Sequence, residues 1–119
     1  MLMNDFYTIS DVNLEARSLT GKISFNASHD IFKGHFPGQP VVPGVCMIQM
    51  IKEVLEQQLE KKTDLKNAPQ VKFLQLITPD IQPIIHLQWN EDTEVISVNA
   101  SFKTDRDLFK MNGNFSINK

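Results

Sequence analysis

Residues 29–50 carry three of the five glycines and three of the six prolines in this 119-residue chain. Proline fixes φ and glycine opens positive φ, so a segment rich in both follows a defined, irregular path. Directly after it the chain becomes apolar at helical spacing, with no further proline or glycine until Pro69. A constrained loop that carries a histidine, His35, and feeds a helix is a way to hold a titratable group rigidly.

The loop narrows what the rest can be. A chain of this length reads as one domain over residues 1–119, large enough to bury one core. Apolar residues make up 41% and charged residues 22%, ordinary for a globular domain, and a net charge of −2 gives no argument for nucleic acid. The single cysteine, Cys46, excludes an internal disulfide and fits a reducing compartment. No signal peptide or membrane-spanning run is legible, so the expected location is the cytoplasm.

Residues 5–10 read as a first strand and residues 22–27 as a second, with a turn expected at Gly21. The loop spans 29–44. Residues 45–61 read as a helix, with Met47, Ile48, Met50, Ile51, Val54 and Leu55 on a wide apolar stripe. Gln49, Lys52, Glu53, Glu56, Gln57 and Glu60 form the opposite face. Residues 62–69 are polar and read as a loop. Strands follow at 71–77, 84–89, 94–104 and 108–117, with Gly113 as a candidate bulge. The order is two strands, a helix and four strands, an α+β pattern.

Gly34-His35-Phe36-Pro37, then Pro40 to Val45, then a helix, resembles the signature of the β-hydroxyacyl-acyl carrier protein dehydratases. A weaker echo runs from Val71 to Leu74 and from Thr78 to Asp80. The resemblance implies the hotdog fold, in which a long helix is wrapped by a curved antiparallel sheet. It implies a lyase that dehydrates a (3R)-hydroxyacyl thioester on acyl carrier protein to the trans-2-enoyl form. It also implies a homodimer, or a trimer of dimers, with the site between protomers, and no cofactor.

The roles carry over position by position. His35 would do the proton chemistry, as a group that titrates near neutrality can. Taken alone it could equally cap a turn. Gly44 would offer a backbone N–H to the thioester oxygen as negative charge builds there, at a helix N-terminus suited to that. It could also serve only as a tight-turn glycine. The Val41 carbonyl would fix the tautomer of the histidine. Phe36, Val45 and Ile48 are candidates for the acyl tunnel.

Gln49 departs from the family, which places Glu or Asp there. An amide binds a hydroxyl but transfers no proton at neutral pH. Three readings stay open: His35 shuttles the proton alone while Gln49 orients the hydroxyl; the pocket binds acyl chains without turnover, beside an active homologue; or another acid, such as Glu53 one turn along, substitutes. A hotdog thioesterase is a further alternative, with the wrong signature in the loop. His29 and His86 have no partners at metal-ligand spacing. Cys46, Met47 and Met50 read as packing or tunnel lining.

Overall fold

The computed structural model describes residues 1–33, 38–92 and 94–118. Among these, two strands, β1 (Tyr7–Glu15) and β2 (Ser18–Phe25), precede a one-turn helix α1 (Asp30–Lys33) and the main helix α2 (Gly44–Leu59). Four strands follow: β3 (Thr63–Phe73), β4 (Ile84–Asp92), β5 (Val95–Lys103) and β6 (Asp107–Ile117). They form one sheet in the order β1-β2-β4-β5-β6-β3, antiparallel throughout. This is the α+β hotdog architecture that the loop motif implied.

Period-two patterning explains β4 to β6. Ile85, Leu87 and Trp89 are buried on β4, and Ile96, Val98, Ala100 and Phe102 on β5, with polar residues between them. In register, Leu19, Leu87, Ala100, Met111 and Val71 line up across five strands. Against this face α2 buries Cys46, Met47, Met50, Ile51, Val54 and Leu55. The expected apolar arc is buried except at Ile48, which is only half-buried, and it is widened by Cys46 and Glu53.

The helix stops at Leu59, two residues before the expected end. Glu60 takes a left-handed conformation (φ 55°) and returns its N–H to the Glu56 carbonyl at 2.8 Å. The Glu56 carboxylate then accepts from the backbone N–H (2.6 Å) and the hydroxyl (3.2 Å) of Thr63. That bond starts β3 where a loop over 62–69 was expected. β3 is an edge strand exposed along most of its length, so it shows no apolar alternation. Lys66 is absorbed as an extra residue and the Ala68-Pro69 pair faces the single residue Gly113: Leu65 and Asn67 pair with Phe115 and Asn114, and Gln70 with Asn112. Proline is tolerated at such an edge bulge. The bulges thus lie on β3, and Gly113 opposite them pairs regularly with Val98.

Three other boundaries move. β1 runs to Glu15, and the turn falls at Ala16 (φ 53°), not at Gly21. Gly21 lies inside β2 because the Ile9 side chain covers it; a Cβ there would sit 2.6 Å from Ile9 Cδ1. The expected strand over 71–77 ends at Phe73. Leu74 and Gln75 both direct their N–H groups at the Leu108 carbonyl, which closes the ladder.

Candidate active site

The approach to the motif is built by a polar turn and an aromatic cluster. The Asn26 side chain accepts the Ser28 N–H, and the Asn26 carbonyl accepts the His29 N–H. His29 Nδ1 accepts the Ile31 N–H at 3.0 Å, so its proton is on Nε2, which faces Asp5 Oδ2 at 3.1 Å. Phe32 stacks on Phe6 at 5.0 Å and meets Phe25 edge-on. These contacts fix the chain up to Lys33. His35 and Phe36 lie outside the described residues.

Beyond the motif, Val41 and Val42 are buried, and the Val42 N–H bonds the Ile77 carbonyl at 2.7 Å. Pro43 is the N-cap of α2 and gives it no side-chain hydrogen bond. The first turn of α2 therefore relies on its own backbone dipoles for whatever it meets. Gly44 opens the helix, and the Phe73 ring rests on it: Phe73 Cζ would lie 2.7 Å from a Cβ, and Cε1 closer still. A side chain at 44 would thus have to displace the Phe73 ring, which is 60% exposed.

A cleft of about 370 Å³ runs here between the start of α2 and the segment after β3, lined by Val42, Gly44, Met47, Phe73 and Ile77 among others. A second, of about 390 Å³, adjoins it through Val41 and Leu76 and reaches Ala27 and Pro40. Both are walled chiefly by apolar side chains. Of the tunnel candidates, Val45 is 75% exposed at the surface beside this region, and Ile48 is half-buried against the core. Neither lines these two clefts among the described residues.

Gln49 faces elsewhere. It lies five residues after Gly44, about 140° further round the helix axis. Its Nε2 donates to Glu53 Oε2 at 2.9 Å. Glu53, read from the sequence as part of the polar face, is 1% exposed. It also accepts the Leu2 N–H (2.8 Å), the Met3 N–H (2.8 Å) and the Tyr7 hydroxyl (3.2 Å). Burial pushes its carboxyl up, but the donors from Leu2, Gln49, Met3 and Tyr7 together hold it below the usual carboxylate range. Glu53 is therefore ionised and fully engaged, which removes it as a substitute acid. Burial, reinforced by that neighbouring carboxylate, drives the Tyr7 phenol far upward. One signal pointed to Glu53: it follows Cys46 by seven residues, which puts both on nearly the same line of the helix.

Cys46 is buried, and burial pushes its thiol up, so it is packing and not a nucleophile. His86 sits on β4 opposite Thr20 and Ser101, away from both clefts. No group of three or more potential metal ligands occurs among the described residues, and no helix there is long and apolar enough to cross a membrane.

Comparison with known proteins sets these features in a family. The model of the ApeI-like family, described as ApeI dehydratase, matches residues 11–113. The 3-hydroxyacyl-[acyl-carrier-protein] dehydratase FabZ of Enterococcus faecalis is 28% identical over 102 residues, covering 80% of this chain and 68% of that protein. Other curated relatives of the same name match over shorter stretches, and the chain spans only 29% to 50% of the length of several of them. Among solved structures, the dehydratase heterocomplex ApeI:P from Xenorhabdus doucetiae superposes with a TM-score of 0.74 at 19% identity, covering 95% of this chain and 98% of that one. A hypothetical thioesterase from Streptococcus pneumoniae, solved with coenzyme A, gives 0.65 at 9% identity, covering 97% and 90%. At such identities the structural likeness speaks for the fold alone, whereas the family match covers most of the sequence. The chain belongs to the ApeI-like dehydratase family.

Proposed function

We propose that the protein dehydrates a 3-hydroxyacyl thioester carried on acyl carrier protein. The observation that carries this reading is the start of α2, which has no side-chain cap and opens on an apolar cleft, seven residues along the chain from the Gly-His-Phe-Pro motif. His35 takes the α-proton. The thioester oxygen gains negative charge, held by the Gly44 N–H and the helix dipole. The C2=C3 bond forms as the C3–O bond breaks, and the imidazolium returns its proton to the departing hydroxyl as water. The Val41 carbonyl orients the ring. Gln49 accepts a hydrogen bond from the substrate hydroxyl through its amide oxygen, which turns a lone pair of the hydroxyl oxygen toward His35 without taking up its proton. The proton that leaves C2 is thus the one that departs in water, and no cofactor is consumed.

Gly44 and Gln49 point to different sides of one helix, so two copies facing each other would complete one site. Exposed apolar side chains beside the cleft, Val45 and Leu76 at 75% and Phe73 at 60%, suit such a homodimer. A stable monomer at micromolar concentration in sedimentation would sink the shared site.

A second reading is supported by Gln49 itself. With no carboxyl at 49, the chain is a non-catalytic acyl-binding subunit whose partner homologue supplies the acid. Turnover of a 3-hydroxyacyl carrier-protein substrate decides between the two. The dehydratase reading expects measurable activity from the purified chain, abolished by His35→Ala in a folded protein. An inert wild type that becomes active only with a homologue present would transfer the assignment to the second reading.

A further inference from the structure

We infer that Glu53 is a positioning residue for this site, holding the Gln49 amide in one orientation, with its nitrogen on Glu53 and its oxygen left for substrate. The function of that oxygen rests on the dehydratase reading; its orientation does not.

The argument is one of donors and acceptors. An ionised carboxylate only accepts. The Glu53 oxygens already receive two backbone N–H groups and a phenol, and Oε2 lies 2.9 Å from the Gln49 amide. The amide must therefore turn its NH₂ inward, which leaves Oε1 and one N–H for anything arriving from outside. Donation to a buried charge also polarises the amide and strengthens its oxygen as an acceptor. A glutamine free to flip would present either end. This one presents a single face.

The mount extends to the other half of the site. The segment that supplies Leu2 and Met3 to Glu53 supplies Asp5 to His29 and Phe6 to Phe32. His29 and Phe32 fix the chain immediately before Gly34. One short N-terminal segment thus holds both the Gln49 amide and the approach to His35.

The test uses the 119-residue chain labelled with ¹⁵N. The Gln49 side-chain resonances are assigned by their loss in Gln49→Ala. In the wild type the two amide protons should be widely split, with one protected from solvent exchange. Glu53→Gln removes the charge at constant shape and should bring the splitting back to that of a free glutamine and speed exchange of the protected proton. In the same variant, turnover of a 3-hydroxyacyl carrier-protein substrate per folded molecule should fall about 10- to 100-fold. Gln49→Ala should fall to a similar level, and the double variant should fall no further. A merely structural role would lower the unfolding midpoint and leave turnover per folded molecule unchanged, and that outcome overturns the inference. If Glu53→Gln does not fold, the wild-type spectrum decides: a Gln49 splitting no larger than that of a free glutamine, with both protons exchanging freely, refutes it. If the wild type is inert, the dehydratase reading fails and the spectra alone judge the orientation.

Discussion

Replacing Gln49 by Glu puts a carboxyl oxygen where Nε2 now stands, 2.9 Å from Glu53 Oε2. Two carboxylates so close repel by roughly 5 kcal/mol at an effective dielectric of about 20. The pair will therefore keep one shared proton, and its second dissociation should rise by about 3 to 4 pH units above the ordinary value for Glu near 4.3. The proton will sit on the new carboxyl, because Glu53 already accepts from Leu2, Met3 and Tyr7. A group whose folded pKa is raised contributes stability that is complete below the unfolded pKa and is lost as pH climbs to the folded one. The variant should thus match the wild type near pH 4.5, to within the worth of the exchanged hydrogen bond. Above that it should lose ground by up to about 1.4 kcal/mol per pH unit, or about 3 kcal/mol by pH 7. Urea unfolding at about pH 4.5, 6 and 7.5, at fixed protein concentration, reads this directly. The gap between variant and wild-type midpoints should widen with pH by roughly 1 M or more. A gap independent of pH would refute the contact and the reasoning built on it.

The chain contains one tyrosine, so tyrosinate absorbance reports Tyr7 alone. Its phenol is raised by burial and by Glu53, so the folded protein should show no tyrosinate through pH 10, and the signal should appear only with global unfolding; a smooth, reversible titration near the ordinary value in folded protein would contradict the burial. Gly44→Ala requires the Phe73 ring to swing away, and should cost about 1–3 kcal/mol in unfolding free energy, relieved in part by Phe73→Ala. Equal costs in both backgrounds would separate the glycine from the ring.

What the sequence disclosed follows from how each element meets water. Strands β4 to β6 have one buried face, so Ile85, Leu87 and Trp89, then Ile96, Val98 and Phe102, alternate with polar residues and could be read. β3 has little buried face to announce it, and its Lys66 and Pro69 looked like loop. Leu74 and Leu76 misled in the opposite sense: they are apolar yet exposed, placed by the cleft and not by a ladder. The departure at Gln49 was legible because the surrounding motif fixes its position. The role of Glu53 was not, since its partners Leu2 and Met3 are some fifty residues away and use backbone atoms that no side-chain pattern encodes.

Both outer strands of the sheet carry extra residues. On β1, Ser10 pairs with Lys22 but Asn13 with Thr20, and Asp11 takes a φ of 52°. On β3, Lys66 and the Ala68-Pro69 pair interrupt the ladder. An edge of evenly spaced N–H and C=O groups invites strand after strand from other molecules. Here each edge is interrupted, near Asp11 on β1 and over 66–69 on β3, which shortens the template that either end of the sheet offers. For a chain with a net charge of only −2, where electrostatic repulsion between copies is slight, these interruptions are the feature of the edges that works against strand addition.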